Sequence, residues 1–173
     1  VAMLIPLLFK LIYKDFAYAE LAYAIAGMGC FLGHAFPIFF GFKGGKGVTV
    51  GAAIALMTDW KAFLIILAVF VIAFMISKIV SVSSISAAVA LVVTGVLFAF
   101  GVPSDSVFFG ATPYTWYKAG LAVFVGLAVV FLHRTNIKRL FNGEEKKFTY
   151  KKRAEVKEEL KKGDENTADS SGN

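Results

Sequence analysis

Long apolar runs separated by short polar turns make up most of this sequence. The longer runs cover about 21–36, 61–76, 86–100 and 119–132, and a shorter one covers 48–57. Apolar runs of about 20 residues can span the hydrocarbon core of a bilayer as helices. The runs are continuous and lack the short alternating segments of a membrane β-barrel. We therefore predict an all-α, polytopic helical integral membrane protein.

Two of the breaks between runs carry recognisable turn and interface residues. The shorter run is followed by Thr58-Asp59-Trp60-Lys61, which predicts a broken helix, a turn at Asp59 and a full span back, with Trp60 at the interface. The segment 101–117 combines two prolines with several aromatic residues and predicts an external loop.

The two ends of the chain differ from the middle. The first apolar segment, 1–13, starts at Val1 and is too short to cross a bilayer, so we expect it to be the end of a span that begins earlier. The last segment, 142–173, holds eight basic and eight acidic residues and predicts a charged, largely disordered tail. The expected parts are a membrane core at 1–141 and this tail at 142–173.

Composition excludes several classes of protein. With 58% hydrophobic residues and a mean hydropathy of +0.71, the chain is more apolar than a soluble domain of its size. Its single cysteine, Cys30, lies in an apolar run, which excludes a disulfide framework and a cysteine metal site. We expect no metal, no cofactor and no nucleic-acid partner.

The polar stretch 33–49, here called the glycine loop, is the first candidate for chemistry. It contains His34, an aromatic run and the sequence Gly44-Gly45-Lys46-Gly47. Glycines let successive backbone N–H groups converge on an anion, and lysine adds a cationic donor, so the loop is a candidate cradle for phosphate or carboxylate. A cytoplasmic loop whose lysines set the topology and whose glycines only form a turn would have the same composition.

Two further polar clusters lie at the ends of apolar runs: the serine junction, 81–85, and the segment 133–139. Their candidate residues are Ser81, Ser84, His133, Asn136 and Arg139. With the glycine loop they supply cations, hydroxyls, an amide and imidazoles, which can bind phosphate and relay a proton. Serines in membrane helices also simply bond the carbonyl four residues back, and a histidine at a membrane end is often only an interfacial hydrogen-bonding residue.

Tracing the spans back and forth across the membrane puts all three polar clusters on one side. Up to residue 140 the charged residues on this side are all basic: Lys43, Lys46, Lys78, Arg134, Lys138 and Arg139. The other side combines Lys10, Lys14, Lys61 and Lys118 with Asp15, Glu20, Asp59 and Asp105. This bias predicts that the first side faces the cytoplasm. Its uncompensated positive charge would attract anionic substrates and anionic lipid headgroups.

The glycine loop resembles the second signature of the bacterial membrane glycerol-3-phosphate acyltransferases that use acyl phosphate, the PlsY family. From Gly33 it reads Gly-His-x-Phe-Pro-x-Phe-x-x-Phe-Lys-Gly-Gly-Lys-Gly-Val. One departure follows, because Thr49-Val50 stands where the family usually has Ala-Thr. The resemblance therefore places the loop in a family whose substrates carry phosphate groups.

The resemblance extends over nearly the whole membrane part. His133 to Glu145 reads His-Arg-x-Asn-Ile-x-Arg-Leu-x-x-Gly-x-Glu and is similar to the family's third signature, and 80–85 is similar to its serine-rich junction. The first signature, of the type Ser-Gly-Asn-x-Gly-x-Thr-Asn-x-x-Arg, is absent from the beginning of the chain. We expect an N-terminally truncated member whose 173 residues alone have little or no activity.

The resemblance implies acyl transfer from a fatty acyl phosphate to the 1-hydroxyl of sn-glycerol 3-phosphate, which gives 1-acylglycerol 3-phosphate and phosphate without coenzyme A. It implies that Lys46, one of the two serines, His133 and Asn136 bind phosphate, and that His34 lies beside the reacting groups. The predicted catalytic residues are His34, His133 and Asn136. The predicted phosphate-binding residues are Lys43, Gly44, Gly45, Lys46, Ser81, Ser84 and Arg139. The site would face the cytoplasm from a bacterial plasma membrane.

No side chain has the surroundings of an activated covalent nucleophile, so we expect the glycerol hydroxyl to attack the acyl carbon directly. The competing function is a transporter or channel for a small anion, in which the glycine loop would be a broken-helix binding element. Polar residues gathered at one surface disfavour a path across the bilayer. A phosphate-loop ATPase is excluded by spacing, because Lys46 is followed by Gly47 and position 40 is Phe.

Overall fold

The computed structural model describes residues 16–42, 44–101, 103–106, 110–113 and 115–148. Within these residues the helices are α1 (Phe16–Ala35), α2 (Val48–Thr58), α3 (Trp60–Ser77), α4 (Val80–Ala99), α5 (Trp116–Leu132) and α6 (Arg134–Phe141), with a short 3-10 turn at Ile38–Phe40. The segment 1–13, Lys43 and the tail from 149 onward lie outside the described residues.

Apolar helices correspond to the predicted spans. Among the described helices, α3 and α4 are each long and apolar enough to cross a membrane, and α5 with α6 is a third candidate if this pair, bent by 53°, is one span. The shorter helix α2 has 11 residues and ends at Thr58, two positions before α3 begins at Trp60. The all-α prediction is confirmed, and the helix breaks at Asp59 as predicted.

The predicted external loop contains a short hairpin. Strand β1 (Pro103–Ser106) pairs antiparallel with strand β2 (Gly110–Pro113), and Pro103 lies opposite Pro113. The sequence predicted no strands here, because proline and aspartate are depleted in strands. Both prolines lie at the outer end of the ladder, where a missing N–H interrupts little pairing.

Asp59 makes the sharp connection between α2 and α3. Its Oδ1 accepts hydrogen bonds from the backbone N–H groups of Lys61 at 2.8 Å and Ala62 at 3.0 Å. The carboxylate therefore caps the N-terminus of α3, which would otherwise leave these donors unsatisfied. Asp59 is fully buried, so this end of α3 is held inside the protein.

Small residues let the helices approach closely. Helix α4 packs against α3 and α5, α1 packs against α5, and α2 contacts α1, α3 and α5. A Cβ atom added at Gly126 of α5 would lie 2.8 Å from the carbonyl oxygen of Ala88 on α4. The two backbones are thus almost in contact, as is typical of helix pairs in membranes. Large apolar side chains are exposed on the outer face of α3: Leu64, Ile65, Val71, Ile72, Met75 and Ile76.

A buried charge pair links α1 to α5. Nζ of Lys118 lies 3.2 Å from Oε1 of Glu20, and each side chain is only 7% exposed. From the sequence we placed both residues on the same side of the membrane, and their side chains meet inside the protein. Each residue lies within a helix and close to its end, where a count of charges by turn cannot distinguish an inward from an outward direction.

Candidate active site

Four segments that are distant in sequence meet in one hydrogen-bonded polar cluster. Its members are Lys46 before α2, Ser81 in α4, Asn136 in α6, and Glu145 after α6. Nζ of Lys46 donates to Oδ1 of Asn136 at 2.6 Å. Nδ2 of Asn136 donates to Oγ of Ser81 at 2.9 Å and to Oε1 of Glu145 at 2.7 Å. Oγ of Ser81 in turn donates to the same Glu145 oxygen.

Chemistry alone fixes the orientation of the Asn136 amide. An ammonium group can only donate and a carboxylate can only accept. The amide oxygen must therefore face Lys46, and the amide nitrogen must face Glu145. Asn136 is buried while Lys46 is exposed, so the cluster has a rigid inner part and a cation on its open side.

Three helices begin at this cluster. Lys46 lies two positions before the first residue of α2, Ser81 is the second residue of α4, and Asn136 is the third residue of α6. The first turn of a helix has unpaired N–H groups and carries the positive end of the helix dipole. None of these three N-termini has a side-chain cap. Their convergence beside a lysine favours the binding of an anion.

The carboxylate of Glu145 responds to this environment. Hydrogen bonds from Ser81 and then from Asn136 lower its pKa below the usual glutamate value, and the charges of Arg139 and Lys46 act in the same direction. All four groups stabilise the ionised form. The cluster thus already accommodates one negative charge, and Arg139 is part of its electrostatic surroundings.

His133 lies at the bend between α5 and α6. Asn136 follows three positions later, and the chain bends by 53° between α5 and α6. Both side chains are nevertheless buried. Nδ1 of His133 lies 2.8 Å from the carbonyl oxygen of Val129, which can only accept, so Nδ1 carries a proton. In the neutral ring, Nε2 is then the atom that can accept a proton.

The glycine loop packs tightly on the end of α1. A Cβ atom at Gly44 would overlap the carbonyl oxygens of His34 and Ala35, and one at Gly45 would lie 2.5 Å from Nε2 of His34. Gly47 has a φ of 75°, which L side chains rarely adopt. These glycines are therefore required by the packing of the loop, and His34 lies directly beside Gly45.

An apolar cavity of about 300 Å³ lies within one helical turn of the polar cluster along α4. Its lining includes Val48, Phe63, Phe70, Ser84, Leu91 and Val129. Ser84 is three positions after Ser81 on α4, and the carbonyl of Val129 accepts the His133 hydrogen bond. Of the two candidate serines, Ser81 thus belongs to the polar cluster and Ser84 to the wall of the cavity.

Glu145 is the residue of the cluster that the sequence analysis did not assign to the site. It was noted only as the last residue of the third signature, in a stretch predicted to be a charged tail. Glu145 bonds to Ser81 and Asn136, and the backbone N–H of Phe148 donates to the carbonyl of Lys78, so this stretch is in contact with α4, α6 and the residue after α3. Lys43, a predicted phosphate ligand, lies outside the described residues. In the part of the chain that the structure covers, no group of three His, Cys, Asp or Glu side chains could hold a metal ion.

Comparison with known families gives one clear match. A family model described as glycerol-3-phosphate acyltransferase matches residues 1–143. A glycerol-3-phosphate acyltransferase of Chlorobaculum parvum is 38% identical over 138 residues, which are 75% of this chain and 60% of the relative. One of Prochlorococcus marinus is 40% identical over 128 residues, which are 74% of this chain and 59% of the relative. The chain thus spans about three fifths of the length of these relatives.

Two solved structures are similar to this fold. Both are crystal structures of PlsY, described as an integral membrane glycerol 3-phosphate acyltransferase. The glycerol 3-phosphate form has a TM-score of 0.65 and 28% identity, covering 77% of this chain and 60% of that one. The lysophosphatidic acid form has a TM-score of 0.66 and 26% identity, and the match covers 86% of this chain and 67% of that structure's chain.

Proposed function

Because this polytopic helical membrane protein belongs to the glycerol-3-phosphate acyltransferase family, we propose that it transfers a fatty acyl group from acyl phosphate to the 1-hydroxyl of sn-glycerol 3-phosphate. The products are 1-acylglycerol 3-phosphate and inorganic phosphate. This is an acyltransferase reaction of phospholipid biosynthesis.

One observation carries the proposal: an apolar cavity lies within one helical turn, along α4, of a cluster suited to an anion. Three helix N-termini and Lys46 favour a phosphate group at the cluster. The cavity beside Ser84 is lined almost entirely by apolar side chains and favours an alkyl chain. An acyl phosphate has both parts, joined at the carbonyl carbon where the reaction occurs.

The polar side chains divide the work of binding. Lys46 is exposed and retains donors beyond its bond to Asn136, so it pairs with a substrate phosphate. Both N–H groups of Asn136 and the hydroxyl of Ser81 donate within the cluster, so these side chains act by holding Lys46 in position, and Glu145 is a positioning residue that holds both of them. His34, beside Gly45, lies next to the reacting groups.

Transfer proceeds without a covalent enzyme intermediate. The glycerol hydroxyl oxygen attacks the acyl carbon, a new C–O ester bond forms, and the C–O bond to phosphate breaks with its electron pair on phosphate. The hydroxyl proton passes to the departing phosphate, with Nε2 of His133 as the relay. Lys46 and the helix N-termini stabilise the negative charge that accumulates on phosphate.

Acyl phosphate is the proposed donor, rather than an acyl thioester of coenzyme A, because the cluster is suited to a phosphate leaving group. We assign the protein to a bacterial plasma membrane with this end of the bundle facing the cytoplasm. The basic residues of the glycine loop, the serine junction and the segment after His133 support this orientation.

The deciding experiment is phosphate release from palmitoyl phosphate on addition of glycerol 3-phosphate. The protein, with any residues that precede Val1, is purified in detergent alongside Lys46→Ala and a control, Lys61→Ala, at the start of α3. We expect release to require both substrates, to fall by at least about a hundredfold in Lys46→Ala, and to persist in the control. No release from folded wild-type protein would reject the reaction, and anion uptake into vesicles would then be measured.

A further inference from the structure

A second group of cations surrounds the end of the bundle that carries the polar cluster. Its members are all exposed: Lys78, Arg134, Lys138, Lys146 and Lys147. We call this group, with the exposed Phe141, the basic surface. Among the described residues from 133 to 148 the acids are Glu144, which is exposed, and Glu145, which is bonded to Ser81 and Asn136. The surface therefore has a strong positive excess.

Helix α6 carries part of this surface on the opposite side from Asn136. Asn136 is buried and Ile137 and Leu140 are half-buried, while Arg134 and Lys138 are exposed. The bend of 53° turns α6 away from the direction of α5. A short amphipathic helix that leaves a span at such an angle is suited to lie in the membrane interface.

Aromatic side chains accompany the cations. Phe141, the last residue of α6, is 88% exposed, and Phe131 just before the bend is 63% exposed. The guanidinium of Arg134 lies 4.8 Å from the ring centroid of Phe131. Aromatic rings next to cations are characteristic of the headgroup level of a bilayer, where the ring meets acyl chains and the cation meets phosphate.

The segment after α6 is fixed in place, so its lysines belong to the surface. The backbone N–H of Phe148 donates to the carbonyl of Lys78 at 2.7 Å. The Phe148 ring packs edge-on against Phe74 with centroids 5.7 Å apart. Lys146 and Lys147 are thereby held near the corner between α3 and α4, on the same side as Lys78.

We propose that the basic surface binds the headgroups of anionic phospholipids in the surrounding leaflet. Cations next to a membrane attract anionic lipids, and each one that is neutralised should weaken binding about fivefold. This surface differs from the substrate cluster, since Lys46 and Arg139 act on Glu145 and are not part of it. The inference therefore does not depend on the proposed reaction.

The test compares lipids that differ only in headgroup charge. The unfolding temperature of the detergent-solubilised protein is measured with phosphatidylcholine alone and with added phosphatidylglycerol of the same acyl chains. We expect phosphatidylglycerol to stabilise the wild type, because a ligand that binds the native state raises its stability. The variant Lys138→Gln/Lys146→Gln/Lys147→Gln should lose most of this gain, and Lys61→Gln, at the start of α3, should keep it.

Equal stabilisation by both lipids, or an unchanged gain in the triple variant, would overturn the proposal. Saturating glycerol 3-phosphate should not change the rise in unfolding temperature that phosphatidylglycerol causes. If glycerol 3-phosphate abolished this rise, the lipid would occupy the substrate cluster instead. If the triple variant does not fold, the wild type is measured at raised salt. Salt screens charges, so it should reduce the rise in unfolding temperature that phosphatidylglycerol causes. A gain that is insensitive to salt would reject the basic surface as the binding site.

Discussion

At the scale of single residues, Glu145 and Asn136 fix each other's position. Asn136 donates to the carboxylate, and this bond leaves the amide oxygen directed at Lys46. The exposed cation is thus oriented through a buried amide by a residue that follows the last described helix. Loss of the carboxylate should disturb Lys46 although the two side chains share no hydrogen bond in the described network.

Replacement of Glu145 tests this chain of contacts through pH. The pKa of Glu145 is lowered, so its stabilising contribution is complete above the usual glutamate pKa and is lost as pH falls through the lower folded value. Glu145→Gln keeps the shape but removes the charge, so its unfolding temperature should fall less between about pH 7 and about pH 3 than that of the wild type. Parallel curves for the two proteins would contradict a role for the charge.

Gly45 provides a second test at this scale. A methyl group at Gly45 would collide with Nε2 of His34, whereas one at Gly33 would meet nothing within 4 Å. We therefore expect Gly45→Ala to displace His34 or the loop and to reduce acyl transfer by at least about tenfold. Gly33→Ala, in the exposed part of α1, should retain activity. Equal activity in the two variants would show that the loop tolerates a side chain beside His34.

At the scale of elements, close contact between α4 and α5 supports the site. Helix α4 carries Ser81 and helix α5 leads into His133, so their packing sets the distance between the two residues. The contact depends on Gly126, where any Cβ atom would press on the Ala88 carbonyl. Small residues at this interface thus allow the helices that carry Ser81 and lead into His133 to pack closely.

A larger side chain at Gly126 should separate the two helices. Overpacking of this kind costs about 1–3 kcal/mol, so Gly126→Leu should lower the unfolding temperature in detergent. Gly120→Leu is the matched control, because Gly120 lies on the same helix, is exposed, and has no atom near its Cβ position. A similar decrease in the unfolding temperature of both variants would indicate a general effect of leucine on α5.

At the scale of the whole molecule, the Glu20–Lys118 pair joins α1 to α5 inside the protein. Removing one partner of a buried pair leaves an uncompensated charge, which costs about 3–5 kcal/mol. Lys118→Met should therefore be strongly destabilising in a thermal unfolding measurement. Glu20→Met/Lys118→Met should be more stable than the single variant, because both charges are gone. If the double variant were less stable than Lys118→Met, the uncompensated charge of Glu20 would not be the cause of the destabilisation.

Much of this architecture could be predicted from the sequence, because bilayer thickness sets the length of an apolar helix. Tracing the spans across the membrane placed the glycine loop, the serine junction and the segment 133–139 at one end. In the structure, Lys46, Ser81 and Asn136 from these three segments are joined by hydrogen bonds. Glu145 could not be assigned, since it follows an abrupt change to charged composition and only the tertiary contact with Ser81 reveals it. The hairpin was missed because proline and aspartate are depleted in strands, and the pairing of Glu20 with Lys118 was missed because charge patterns do not define side-chain direction.

The order in which the cluster's members occur along the chain also has a consequence during synthesis. Lys46 and Ser81 are synthesised before Asn136 and Glu145, because synthesis proceeds from the N-terminus. An unfinished chain therefore holds its lysine and serine without the amide and carboxylate that orient them. Complete assembly of the cluster is therefore a late event, because it requires synthesis to continue past residue 145.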